Sequence, residues 1–349
     1  MKNQVISGKN QIRSIVFVLL VMGITVWVLL REYSITEIIH VIEGIHPFYV
    51  IAGICMMFLF AGCQAMNFYM ILKSLGHTAS YGYCLEYAYV GNYFGSITPG
   101  ASGGQPAQLY YMNKDEIHVD ISAITVFFMV FVSQLGILVL GAIFAIIRYP
   151  MFSNLKNWMK YLLLAGGAII FILTLILVAL MFLGKLVPYL GNKILKVFIK
   201  LRIVKKPELA KAKMEAFLLS YNEKSKILLK HPELFIKVFV LTLLQWIAYY
   251  MVAYLVYLSF GYRNHSAIDL ISGQAMINIA VAAVPLPGSV GIAEKAYLML
   301  FGQFYSLTEL PSAMILSRMI NFYLPLFISF LVYLLVHFRI VKKKKQQAL

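Results

Sequence analysis

Negative charge is scarce in this sequence. Of 349 residues only 14 are Asp or Glu, against 30 Lys or Arg, and charged residues together make up 13%. That shortage excludes a soluble globular domain, which draws about a quarter of its residues from the charged set. Cysteine is rarer still. Cys55, Cys63 and Cys84 lie in apolar stretches without a C-x-x-C pair, so a disulfide framework is excluded and the three read as packing residues. The seven histidines form no i, i+4 pair and have no acidic neighbour suited to a metal; neither a metal nor another cofactor is expected. No P-loop, dinucleotide fingerprint or nucleophile elbow occurs, so transport by this chain would run on a gradient or be passive. Lys2, Lys9 and Arg13 precede an apolar run that lacks a small-residue cleavage site, which marks a retained first helix.

Apolar sequence is what the chain has in excess. With 61% hydrophobic residues and a mean hydropathy of +0.80, it reads as an all-α polytopic membrane protein. Six stretches have the make-up of crossing helices: 14–30, 47–72, 121–147, 161–183, 234–259 and 311–338. Residues 34–45 set Ile35, Ile38, Ile39 and Ile42 against Glu37 and Glu43, a pattern for lying in the interface. Residues 185–237 hold thirteen Lys/Arg and four acidic residues and form a basic arm. The net charge of +16 lies beside membrane segments, where it sets topology and meets anionic lipid rather than nucleic acid. Trp27, Trp158 and Trp246 read as interface belts and packing.

One stretch interrupts this pattern. Residues 92–108, N-Y-F-G-S-I-T-P-G-A-S-G-G-Q-P-A-Q, carry four glycines and two prolines. A helix cannot pass through them unbroken, because Pro lacks a donor and each Gly costs about 1 kcal/mol. The helical pattern before the break, 85–97, spans about 20 Å, short of a ~30 Å bilayer core. The segment therefore enters, breaks and returns to its own side. Such backbone is tolerated at membrane depth only where it is buried in protein or lines a polar cavity. Pro287-Gly288-Ser289-Val290-Gly291 repeats the P-G-x-x-G spacing of Pro99-Gly100-Ala101-Ser102-Gly103. It too follows a short apolar run, 271–284, and precedes an amphipathic piece, 292–304. Two broken helices in corresponding places point to a transporter-like site at a repeat interface.

Basic residues orient the chain. With both termini cytoplasmic and both broken segments re-entrant, 23 Lys/Arg fall inside and six outside, and only Arg318 lies within a span. The opposite orientation reverses that ratio and violates the positive-inside rule. Each half then has three crossings and one broken segment. Three is odd, so the second half inserts upside down, an inverted repeat. The first repeat is 1–160, with re-entrant segment 83–112 on the cytoplasmic side. The second is 161–349, with the basic arm 185–237 and an outer-side re-entrant segment 266–304.

Polar residues at depth supply the candidate site. Arg318 is too costly to face lipid, and Asn321 shares its helix face. Glu294, just after the second motif, enters from the same side and is the expected counter-ion. That pair would either tie the re-entrant piece to the last span or offer a planar fork to a phosphate. Asn92, Gln105 and Gln108 flank the first break and Thr98 and Ser102 lie within it; Gln274 and Asn278 precede the second, which holds Ser289. Each has the chemistry to bind a headgroup or to satisfy freed backbone groups. Gln64, Asn67, Gln134 and Gln245 read as interhelical contacts. Glu86 and Glu294 are the acidic residues at depth and enter from opposite faces, which argues against an enzyme.

The runs N-x-x-x-x-x-T-P-G-x-x-G-G-Q-P, from Asn92 to Pro106, and P-L-P-G-S-V-G-I-A-E, from Pro285 to Glu294, resemble the lysylphosphatidylglycerol synthase transmembrane-region family. That family includes the flippase-like half of the multiple peptide resistance factor. The likeness runs from about Arg13 to Phe338. It implies a bacterial or archaeal plasma-membrane protein that moves lipids between leaflets, and it directs attention to 98–105, 287–294 and Arg318. The multiple peptide resistance factor continues into a soluble aminoacyl-transferase domain. This sequence ends at Leu349, so a stand-alone flippase-like role is expected, without lipid lysylation. Its partners would be membrane lipids, anionic or phosphate-bearing; a homodimer is left open. The alternatives are a membrane-embedded transferase acting on polyprenyl- or phospholipid-linked substrates, and a scaffold docking a partner through the basic arm.

Overall fold

The computed structural model describes residues 44–182 and 231–347, with isolated positions between 189 and 228. The stretch 14–30, residues 34–43 of the interfacial stretch, Trp27 and most of the basic arm lie outside the described residues. Those described form helices and turns without a strand. Five helical stretches are long and apolar enough to cross a membrane: Pro47–Ser74, Val119–Ile147, Asn157–Met181, Pro232–Ser259 and Leu310–Lys343. They coincide with five of the six expected spans, and the protein is an all-α, multi-pass membrane protein.

Helix α1 (Pro47–Ser74) starts on a proline, which suits a first helical position with no donor to lose. Helix α2 (Tyr81–Ile97) starts at Ser80, whose Oγ accepts from the Tyr83 N–H. A short turn, Pro99–Ala101, joins it to α3 (Gly104–Lys114). There follow α4 (Val119–Ile147), α5 (Tyr149–Ser153), α6 (Asn157–Phe182) and α7 (Pro232–Ser259). Helix α8 (Ala267–Val281) is capped by Asp269, which accepts from the Ser266 N–H at 2.9 Å. The turn Pro287–Ser289 leads to α9 (Ile292–Phe301). The last span comprises α10 (Leu310–Arg318), a wide π-type turn (Met319–Tyr323) and α11 (Leu324–Gln347).

The two P-G-x-x-G runs form the tips of two helical hairpins. At 17 and 11 residues, α2 and α3 reach about 25 and 16 Å, so neither crosses a bilayer core. They lie back to back: Gln108 Nε2 donates to the Tyr87 carbonyl at 3.3 Å, and the Tyr87 hydroxyl donates to Asp115 at 3.0 Å. A Cβ on Gly104 would stand 2.8 Å from the Gly91 carbonyl oxygen, so only glycine permits this approach. The base of this hairpin is tied to α11 by Arg339, which bonds Glu86 at 2.6 Å and Asp115 at 3.0 Å. Nearby, the Lys343 ammonium at 2.8 Å holds the exposed Glu116 carboxyl below the usual carboxylate range. Ser220 and Lys224 hydrogen-bond Asp120 at this same end. Helices α8 and α9 form the second hairpin, whose base closes where His265 meets Phe304, ring centroids 4.8 Å apart. Its base is tied to the end of α4 by Arg148, 2.7 Å from Asp269.

The hairpins enter from opposite ends and their tips pack against one another. An antiparallel seam holds them there. Along α1 and α7, the His46 N–H donates to the Ser259 carbonyl at 2.8 Å, Phe60 meets Trp246, and Asn67 Nδ2 donates to Thr242 at 3.0 Å. Partner numbers fall as α1 numbers rise, from 259 to 242. The packing of α2 on α11 is mirrored by that of α8 on α4. With Cys55, Cys63 and Cys84 replaced, single cysteines at Lys114 and Lys156 should label from opposite sides of a sealed vesicle; labelling from one side would overturn this arrangement.

Candidate functional site

Both tips carry the same backbone conformation. Gly100 and Gly288 each have φ 59°, and the next residues, Ala101 and Ser289, follow at φ 56° and 52°. A side chain in this left-handed region costs about 1–2 kcal/mol, strain of the sort that collects at functional sites. The break at the first tip is stabilised locally. Thr98 Oγ1 donates to the Phe94 carbonyl at 2.6 Å and accepts from the Gly103 N–H at 2.8 Å. The second tip is held by the ion pair: Arg318 Nε stands 2.8 Å from Glu294 Oε1, and Arg318 Nη2 donates to the Gly288 carbonyl at 3.0 Å. The other carboxylate oxygen of Glu294 accepts from the Gly291 N–H at 2.6 Å, where a negative charge also suits the start of α9. The ring centroids of Phe322 and Tyr323 lie 4.4 and 5.9 Å from the guanidinium carbon, within reach of cation–π attraction.

Above the joined tips lies a cavity of about 520 Å³, inside the ~300–1,000 Å³ range of small-molecule sites. Seven of the ten residues singled out in the sequence line it: Asn92, Gln105, Gln108, Asn278, Ser289, Arg318 and Asn321. Thr98, Ser102 and Glu294 do not. Thr98 spends its hydroxyl on backbone, Ser102 is exposed, and Glu294 stands behind Arg318 with both oxygens engaged. Asn92 Nδ2 donates to Gln64 Oε1 at 3.1 Å, and Asn278 Nδ2 to the Tyr250 hydroxyl at 3.0 Å.

The wall is richer in amides than the sequence reading allowed. Gln64, Gln134 and Gln245, expected to join helices, line the cavity; Gln64 also joins α1 to α2 through Asn92, and Asn67 bridges α1 and α7. Together the wall carries nine Asn or Gln side chains, Arg318 is its one charged residue, and no carboxylate lines it among the described residues. Trp246, expected in a belt or in packing, also faces the cavity and donates to Ser133 at 3.2 Å. A polar residue in mid-span was the available signal. What it lacked was the rotation of each helix, which decides whether an amide meets a neighbour or an opening. Gln134 Oε1, Gln274 Oε1, Asn321 Oδ1 and Ser329 Oγ are buried with no protein partner, although each lines the cavity. Buried polar atoms call for partners, and the described residues supply none to these four.

The sequence profile of the family described as lysylphosphatidylglycerol synthase TM region matches residues 14–329. The chain belongs to that family. It is also similar to a UPF0104 membrane protein of Archaeoglobus fulgidus, 25% identical over 338 residues that cover 93% of this chain and 97% of the relative. The family match takes in both hairpins, the α1–α7 seam and Arg318.

Removing one member of a buried ion pair leaves the other charge stranded, at a cost of roughly 3–5 kcal/mol. Arg318→Ala should therefore lower the unfolding midpoint in detergent sharply. A Cβ on Gly288 would sit 2.2 Å from Phe322 Cζ at a positive φ. Gly288→Ala should cost roughly 1–3 kcal/mol by overpacking alone, measured the same way; an unchanged midpoint would contradict this geometry.

Proposed function

We propose that this protein is a plasma-membrane lipid translocase that moves a phospholipid or lipid-linked headgroup between leaflets. The observation that carries the reading is a polar cavity with an apolar, outward-facing rim. Phe58, Ile169, Leu173 and Leu286 line the same space as the amides, yet they are between 39% and 51% exposed. A headgroup fits among the amides while its acyl chains stay in hydrocarbon. A soluble solute would have no use for such a rim.

The antiparallel seam and mirrored packing support two halves, 1–160 and 161–349, related by an axis in the membrane plane, with each hairpin re-entrant from its own side. Such repeats exchange access to a central site by rocking one half against the other. The positive-inside rule puts the Asp115 end and both termini in the cytoplasm and the Asp269 end outside. Arg318 supplies the affinity for a phosphate-bearing, anionic lipid. The reading assigns the chain no catalytic step.

Purified protein in vesicles asymmetrically loaded with an anionic phospholipid should speed its exchange between leaflets well above that in protein-free vesicles. Arg318→Lys keeps the charge but loses the fork, and should slow exchange about tenfold or more with a smaller loss of stability than Arg318→Ala. Failure of the wild-type protein to speed exchange of any phospholipid would overturn the proposal.

A further inference from the structure

The chemistry of the cavity wall narrows the headgroup. Its charge inventory is one guanidinium, already neutralised on one side by Glu294, and no carboxylate among the described residues. An ammonium entering such a space would give up its water with no counter-charge to receive it. An aminoacylated headgroup of the kind in the family's description carries ammonium groups, which meet no carboxylate among the described residues of the wall.

The nine amides suit a different ligand. Gln134, Gln274 and Asn321 line the cavity and each carries a buried side-chain carbonyl oxygen without a protein partner, and Gln274 and Asn321 are only 4% and 7% exposed. These oxygens accept hydrogen bonds, and the positive charge of Arg318 in the same wall favours donors that are not cations. Hydroxyl groups donate and accept at one atom, which matches amides that offer both functions. The rings of Trp246 and Tyr249 add flat, half-apolar faces beside them. Arg318 meets the remaining need, a single negative charge with planar acceptor geometry.

Resting on the translocase reading above, we infer that the preferred substrate carries one phosphodiester joined to an uncharged, hydroxyl-rich group, a polyol or sugar. Arg318 holds the phosphate, and Gln134, Gln274 and Asn321 hold the hydroxyls. The outward-facing apolar rim favours the lipid-borne form of this chemistry over a free polyol phosphate.

The test uses the full chain in vesicles carrying, in turn, phosphatidylinositol, phosphatidic acid, phosphatidylcholine or lysylphosphatidylglycerol, with leaflet exchange measured for each. Phosphatidylinositol should exchange at least tenfold faster than phosphatidylcholine and lysylphosphatidylglycerol. Gln274→Leu conserves volume and removes the unpartnered oxygen; it should slow phosphatidylinositol about tenfold and leave phosphatidic acid within a factor of about two. Vesicles loaded with glycerol phosphate should retain it, and its efflux through the protein would overturn the lipid assignment. Lysylphosphatidylglycerol exchanging as fast as phosphatidylinositol, or equal slowing of both anionic lipids by Gln274→Leu, would overturn the headgroup assignment while leaving translocation intact. Absence of exchange for every lipid would overturn both.

Discussion

An unpaired backbone N–H or C=O in hydrocarbon costs several kcal/mol, and the rest of this structure is arranged around that constraint. Two helical hairpins stop partway through the protein, and each exposes the loose ends of two helices at its tip. The tips are brought into contact with one another. What remains unpaired is met by side chains: Thr98 bridges the first break, and Glu294 and Arg318 take up an N–H and a carbonyl at the second. The α1–α7 seam fixes the meeting point, because it sets the two halves head to tail.

The solutions at the two tips differ, although their backbones turn alike. A neutral hydroxyl suffices at the first. The second needs an ion pair, which brings a guanidinium to the cavity wall as well as closing the backbone. One residue thus serves folding and ligand affinity together. Amides left without partners in the same wall work against stability. A chain that retains them has kept a wall shaped for a ligand at some cost to its own packing.

Much of this was legible in the sequence because the bilayer restricts what a chain can do. Apolar runs bounded by Lys73, Arg148 or Pro232 could only be spans, and P-G-x-x-G inside an apolar run could only be a break. The Arg318–Glu294 pair followed from the cost of a lone charge at depth. Other features were not legible, since they depend on helix rotation. Gln134 and Gln245 have the composition of interhelical contacts and line the cavity, while Gln64 does both. Arg339, Glu86 and Asp115 lie 253 and 224 positions apart along the chain, and nothing local to any of them announces the others.

The wide turn at Met319–Tyr323 governs the angular phase of the last span. A π-type turn takes up about one residue more than an α turn, so the helix beyond it is rotated by about 100° relative to the helix before it. The rotation lets a single span face two directions: Arg318 looks to the second hairpin and Arg339 to the base of the first. Length is therefore restricted here in a way that it is not in the loops at 75–80 or 115–118. Loss of one residue from the turn would straighten the span and swing Arg339 off its carboxylates. Among related chains, insertions and deletions should be excluded from this turn far more strictly than substitutions are.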